Sequence, residues 1–176
     1  LCGCFGCHMS FLDIDERLIE LMSLVEIDRS PLTDKKRFTQ RCDIGIIEGG
    51  CCNEENVHVL HEFRRNCDVL IALGQCAIMG GLPAMRNAIM HSDEPLRECL
   101  EEAYITGRYI RNPSQHIPND PALPLLLDEV YACGEVVEID YTIPGCAPTG
   151  EVIYDTLAGL LTGRFRGFER ETIRFD

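Results

Sequence analysis

The sequence predicts an α/β fold built on a parallel sheet with helices on both faces, and three observations carry that expectation. Short apolar runs end in glycine-containing loops, helical segments with a single apolar stripe follow those loops, and several of the chain's cysteines sit in or beside the same loops.

The chain opens on "LCGCFGC", which reads as the end of a strand running into a loop where Gly3 and Gly6 keep the backbone supple. From Ser10, a candidate N-cap, the periodicity becomes helical. Phe11, Ile14, Leu18, Leu21, Met22 and Val25 fall near one face, and Asp13, Asp15, Glu16 and Arg17 turn to water. "SPLTDKKRFTQR" interrupts that pattern. "CDIGIIEGG" is then a short apolar strand stopped by two glycines, and "NEENVHVLHEFRRN" is a helix with Val57, Leu60 and Phe63 as its stripe. "CDVLIALG" reads as a second buried strand. A third, "EVVEIDYTI", runs into "PGCAPTG". The last clear element, "EVIYDTLAGLLTG", spaces Val152, Ile153, Thr156, Leu157 and Leu160 for a helix, with Gly163 at its end.

Composition bounds the function. At 176 residues and 45% apolar content the chain suits one hydrophobic core, read as a single domain over 1–176 with a helical and loop insertion near 80–128. The formal charge of -13, from 29 acidic against 16 basic residues, argues against a nucleic-acid partner. The longest apolar runs fall far short of the ~20 residues that span a bilayer, so no direct membrane insertion is expected. No signal peptide is evident, although the start at Leu1 suggests that preceding residues lie outside the numbering.

Eleven cysteines make an odd number in a chain larger than the small disulfide scaffolds. Reduced thiols with a metal-bound subset fit this pattern better than a disulfide framework. Parallel α/β folds place their sites at the carboxyl ends of the strands. Cys4 and Cys7 precede the first helix, Cys76 follows "VLIALGQ" and Cys146 lies in "PGC" after the third strand, so all four are expected at one edge. Four thiolates there could bind zinc or a cubane iron–sulfur cluster, and the C-x₂-C spacing of Cys4 and Cys7 permits either.

"GCFGCHMS", "GIIEGG", "IALGQCAIMGG" and "IDYTIPGCAPTG" together resemble the small subunit of nickel–iron hydrogenases, a superfamily shared with the 20-kilodalton iron–sulfur subunit of respiratory complex I. The resemblance covers nearly the whole chain. It implies a flavodoxin-like domain whose carboxyl edge carries one 4Fe-4S cluster, with Cys4 and Cys7 as the first ligand pair, Cys76 as the third ligand and Cys146 as the fourth. The complex I branch uses adjacent cysteines at the first position, whereas Cys4-Phe5-Gly6-Cys7 has the hydrogenase spacing, and the tandem Cys51-Cys52 stands in the wrong place to substitute.

The resemblance also implies a mechanism and partners. H₂ is cleaved on the nickel–iron centre of a large subunit, and this chain relays electrons singly to iron–sulfur and diaphorase subunits that carry FMN and exchange electrons with NAD. No residue of this chain is expected to be catalytic. The sequence after Cys146 has neither cysteine nor histidine, so a single cluster is the economical assignment. With no twin-arginine export signal visible, the subtype resembles cytoplasmic NAD-reducing hydrogenases. The alternatives are a complex I 20-kilodalton-like quinone-linked subunit, a zinc-stabilised structural module, or an FMN electron carrier.

The remaining candidates have ordinary readings. Cys2 lies close enough to compete for metal. Cys42, Cys67, Cys99 and Cys133 read as packing or inert thiols, and Cys51 and Cys52 as neighbours of the site. His8 stands beside Cys7, either near a cluster sulfur or at a surface, and His58 and His61 share one helix face. Gly45, Gly49 and Gly50 would suit a flavin phosphate loop, but the full G-x-G-x-x-G order is absent, so FMN on this chain is the weaker expectation.

Overall fold

The computed structural model describes residues 1–31, 33–89 and 95–168. Part of the expected insertion, residues 90–94, and the end of the C-terminal stretch, 169–176, lie outside the described residues.

A three-stranded parallel sheet organises the chain, in the order β1 (Cys42–Glu48), β3 (Cys67–Leu73), β5 (Tyr141–Ile143). β3 is central and alternates strictly. Val69, Ile71 and Leu73 face one core together with Ile44, Ile46 and Ile143, while Leu70 and Ala72 face a second core with Ile47. The first core is closed by α1 (Gly6–Leu12), α2 (Glu16–Leu24) and α8 (Gly150–Leu161), through Ile14, Leu21, Val152, Ile153 and Leu157. The second is closed by α3 (Glu54–Asn66), α4 (Gly74–Met79) and α7 (Cys133–Val136), through Leu60, Ala77 and Cys133. Helices therefore cover both faces, as the sequence predicts. Leu60, Leu70, Ile71, Ile143 and Ile153 are fully buried, each contributing about 1.5–3 kcal/mol of transfer free energy. The one buried hydroxyl among the core residues, that of Thr156, donates to the Val152 carbonyl one turn back at 2.7 Å.

Local chemistry sets the helix ends. The Asn53 side chain caps α3 by accepting from the Asn56 N–H at 2.8 Å, Glu54 and Glu55 occupy the first turn, and Arg64 and Arg65 the last. Thr149 caps α8 in the same way.

Three expectations need correction. The helix expected from Ser10 is two helices, with Ser10 inside α1 and not an N-cap. The chain breaks at Asp13–Asp15, where Asp15 adopts φ 57°, and the start of α8 presses on that break, since a Cβ on Gly150 would meet the Asp13 carbonyl carbon at 2.9 Å. Met22 is correspondingly 44% exposed and does not join the core. The third strand is confined to Tyr141–Ile143. Upstream, the Glu135 carboxylate accepts from the Ala132 N–H at 2.7 Å and winds Cys133–Val136 into α7. Asp140 then folds onto the Arg64 guanidinium at 2.6 Å and the Leu70 N–H at 2.7 Å, and these bonds hold its carboxyl below the usual range against the opposing effect of burial. Finally, Leu126–Tyr131, for which the sequence names no strand, forms β4, antiparallel to β2 (Cys51–Asn53).

Residues 80–128 lead from α4 through α5 (Met85–Ile89), α6 (Pro95–Glu101) and a π-helical turn at Glu102–Thr106 to β4. Asn87 ties α5 to β4, donating to the Val130 carbonyl at 2.9 Å and accepting from its N–H at 2.8 Å.

Candidate iron–sulfur site

Register places the site. Glu48 pairs with Leu73 and Leu73 with Ile143, so the three parallel strands finish level with one another. After β1 comes Gly49-Gly50, after β3 the first turn of α4, Gly74-Gln75-Cys76, and after β5 the loop Pro144-Gly145-Cys146. The last two segments are stitched by the Gln75 N–H, which donates to the Gly145 carbonyl at 3.0 Å. The N-terminal segment reaches the same edge through a reciprocal bridge in which the Cys2 and Gly50 amides each donate to the other's carbonyl at 2.9 Å. That bridge is all that forms of the strand expected in "LCGC".

The four predicted cysteines lie within electrostatic reach of one another at this edge. Burial pushes the Cys7 thiol up to about 12, followed by the negative charges of Glu48, Cys76, Cys4 and Cys146. Cys76 is raised by burial and then by Cys146, Cys4 and Cys2, while a hydrogen bond from the Leu82 main chain opposes the rise. Residues from the N-terminal segment, the start of α4 and the segment after β5 thus act electrostatically on one another. Cys7 and Cys76 are half-buried, and Cys4 and Cys146 are exposed, so the ring opens on one side to the surface. The Gly6 N–H donates to the Cys4 sulfur at 3.4 Å.

These residues fit an iron–sulfur group on chemical grounds. Neighbouring cysteines raise Cys7 and Cys76, and like charges at one edge repel, so the four share it as thiolates only with positive metal between them. Among the described residues no three Cys, His, Asp or Glu side chains close on one point as a single metal ion requires. Zinc draws its sulfurs to about 2.3 Å from one centre, whereas a cubane takes one thiolate at each corner. The backbone makes room for it. Gly74, at φ 80°, lies so close to Cys7 that a Cβ there would run into the sulfur, and a Cβ on Gly81, at φ 51°, would stand 2.8 Å from the Cys76 sulfur.

Other cysteines separate from this ring. Cys51, Cys67 and Cys133 are buried, and the Cys133 thiol, held protonated by burial and its contact with Cys51, donates to the Gly49 carbonyl at 3.3 Å. Cys42 and Cys99 are half-buried, Cys42 at the end of β1 opposite Glu48. Cys2 hydrogen-bonds Cys52, and burial together with that contact pushes it up to about 11. The His8 ring stacks on Phe5 with centroids 4.5 Å apart, and its buried Nε2 has no partner among the described residues. His58 and His61 lie on α3, the helix that covers the second core.

Sequence reading missed Glu48 and Gln75. Glu48 accepts the His8 N–H at 2.9 Å, and Gln75 buries an unpartnered Oε1 beside Cys76. A visible signal existed for the first, the acidic residue that closes the apolar run "IGIIE". Nothing in local pattern distinguishes the second.

A protein-family model described as NADH ubiquinone oxidoreductase, 20 Kd subunit, matches residues 4–160, a span that holds all four ring cysteines. The chain belongs to this family. The delta subunit of the NAD-reducing hydrogenase HoxS of Cupriavidus necator is 48% identical over 177 residues, covering 100% of this chain and 82% of its own length. A subunit of the F420-non-reducing hydrogenase vhu of Methanococcus voltae is 35% identical over 164 residues, covering 93% of this chain, which spans 55% of that relative. The crystal structure of an NAD+-reducing NiFe-hydrogenase in its H2-reduced state contains a chain 50% identical to this one, with a TM-score of 0.92 over 100% of this chain and 95% of that one. The resemblance carried by the cysteine motifs therefore holds over the full length. No described helix is long and apolar enough to cross a membrane.

Proposed function

We propose that this chain is the electron-transfer small subunit of a multisubunit NAD-reducing nickel–iron hydrogenase, holding one 4Fe-4S cluster through Cys4, Cys7, Cys76 and Cys146. The observation that supports the reading is that Cys4, Cys76 and Cys146 all act on Cys7 from segments at the carboxyl edge of the parallel sheet. Likeness over the whole chain to an NAD-reducing hydrogenase subunit, in sequence and in structure, supports the subtype.

When bound, the cluster supplies a site that takes up and passes on one electron at a time. The chain's own residues do the rest. Cys4 and Cys7 grip from the N-terminal loop and Cys76 and Cys146 from the sheet. The Gly6 N–H donates to the Cys4 sulfur and the Leu82 main chain hydrogen-bonds Cys76, spreading negative charge away from those sulfurs. Half-burial of Cys7 and Cys76 keeps water from the inner side. Near the ligands in sequence Phe5, Met9, Met79 and Leu82 stand exposed, an apolar set suited to burial under a partner. That partner is the large subunit, where H₂ is split into two protons and two electrons. An iron–sulfur and flavin-bearing diaphorase takes the electrons onward, and the assembly works in the cytoplasm. The chain forms one unit in which residues 80–128 are an insertion that offers further contact surface.

Gentle native purification followed by mass spectrometry and metal analysis tests this assignment. The expected outcome is copurification with a nickel-containing hydrogenase subunit and a flavin-bearing NAD module. Copurification with quinone-reducing subunits and no nickel would instead place the chain with the namesake of its family.

A further inference from the structure

Glu48 closes β1 level with Leu73 and Ile143, half-buried, at the edge where the ring cysteines gather. Its Oε2 accepts the N–H of His8 at 2.9 Å, a bond across forty residues of sequence that lands immediately after Cys7. Among the described residues no other side-chain hydrogen bond ties Cys4–Cys7 to the sheet, which otherwise holds the N-terminal segment by the Cys2–Gly50 bridge and by the Leu1 ammonium on the Glu48 carbonyl. The nearby positive charge the structure shows, the Leu1 ammonium, donates to the Glu48 main-chain carbonyl at 2.9 Å and makes no ion pair with the carboxylate. Among the described residues no Lys, Arg or His forms an ion pair with it. The guanidinium on this side of the molecule, that of Arg86, acts on Cys2 and donates to the Leu127 carbonyl at 2.7 Å.

We propose that Glu48 is a positioning residue for the iron–sulfur group that also sets its reduction potential: its carboxylate clamps the Cys4–Cys7 loop through the His8 N–H and leaves an unpaired negative charge beside the Cys7 sulfur. The inference rests on the proposed function, since it needs the cluster. A fixed negative charge at a half-buried position disfavours an added electron nearby, so the native carboxylate lowers the potential and makes the bound group a stronger reductant toward the next carrier. Charge and clamp are separable by substitution. An amide at position 48 keeps an oxygen that accepts the His8 N–H and loses the charge. A methyl group loses both.

The test is a potentiometric titration of the cluster's electron paramagnetic resonance signal in anaerobically purified full chain, with iron counted in every sample. Glu48→Gln keeps its iron and moves the midpoint upward, so that poised at the native midpoint the reduced-to-oxidised ratio rises at least about threefold. Glu48→Ala loses iron relative to Glu48→Gln, because it alone surrenders the clamp. Should Glu48→Gln fail to load, Glu48→Asp and Glu48→Asn supply a second pair with equal reach and different charge, and the Asn form must lie higher. Equal midpoints within a loaded pair overturn the role of charge. Iron retained equally in the Ala and Gln forms overturns the clamp. A wild-type chain without iron speaks against the proposed function itself, which separates that failure from this one.

Discussion

Cys76→Ser breaks the native cluster, although it replaces one atom in a half-buried residue of α4. A cubane held by four thiolates loses a corner when one becomes a hydroxyl, a much poorer iron ligand, and the expected iron content falls from about four to about three or fewer per chain. Cys4→Ser, Cys7→Ser and Cys146→Ser should affect the same visible absorption and resonance signals, because the four sulfurs serve one object. Cys99→Ser and Cys133→Ser make the contrast. Cys133 is fully buried and its thiol donates to the Gly49 carbonyl, so its loss lowers thermal stability while the cluster signal survives. Cys2→Ser belongs in the same series, since Cys2 acts on Cys76 without being among the four assigned ligands. A full native spectrum in the Cys76→Ser protein would contradict the ligand assignment.

Gly74→Ala should be nearly as damaging without touching a ligand. Gly74 follows β3 directly and adopts φ 80°, a conformation that costs a residue with a Cβ about 1–3 kcal/mol. The added methyl group would also run into the Cys7 sulfur, and it would lie 3.4 Å from the Gly145 carbonyl, which leaves it little room to move aside. Cys7 is therefore pushed out of the ring, and the expected result is a loss of iron comparable to that of Cys7→Ser. Gly134→Ala is the matched control, for a Cβ there meets nothing within 4 Å. Iron content and signal unchanged in Gly74→Ala would show that the start of α4 yields more easily than its packing implies.

Much of the fold was legible because the central strand carries its own two-sided pattern. "CDVLIAL" is apolar on both faces, which an α/β sheet covered by helices requires, and the helices that follow β1 and β5 show clear stripes and caps. The site was legible for a related reason: strand ends that finish level put the residues just after them side by side, so Cys76 and Cys146 could be joined across seventy residues of sequence. What failed depended on long-range contacts. The break between α1 and α2 is set by α8 arriving at Gly150, and the apolar stripe from Phe11 to Val25 runs across it without interruption. "EVVEI" has the composition of a strand, yet Glu135 reaches back to the Ala132 N–H, and Asp140 is drawn to Arg64, which holds β5 to three residues. β4 was missed because its partner β2 is only three residues long and begins in the cysteine pair "CC", which reads first as chemistry. Glu48 went unremarked because its meaning lies in a bond to His8, forty positions away.

That four converging thiols hold an iron–sulfur cluster is tested most directly by counting iron, acid-labile sulfide and zinc in the same anaerobically purified sample of the native chain. The expected result is about four irons and four sulfides per chain, with zinc absent. One zinc per chain with neither iron nor sulfide would contradict the cluster and make the same edge a structural metal site.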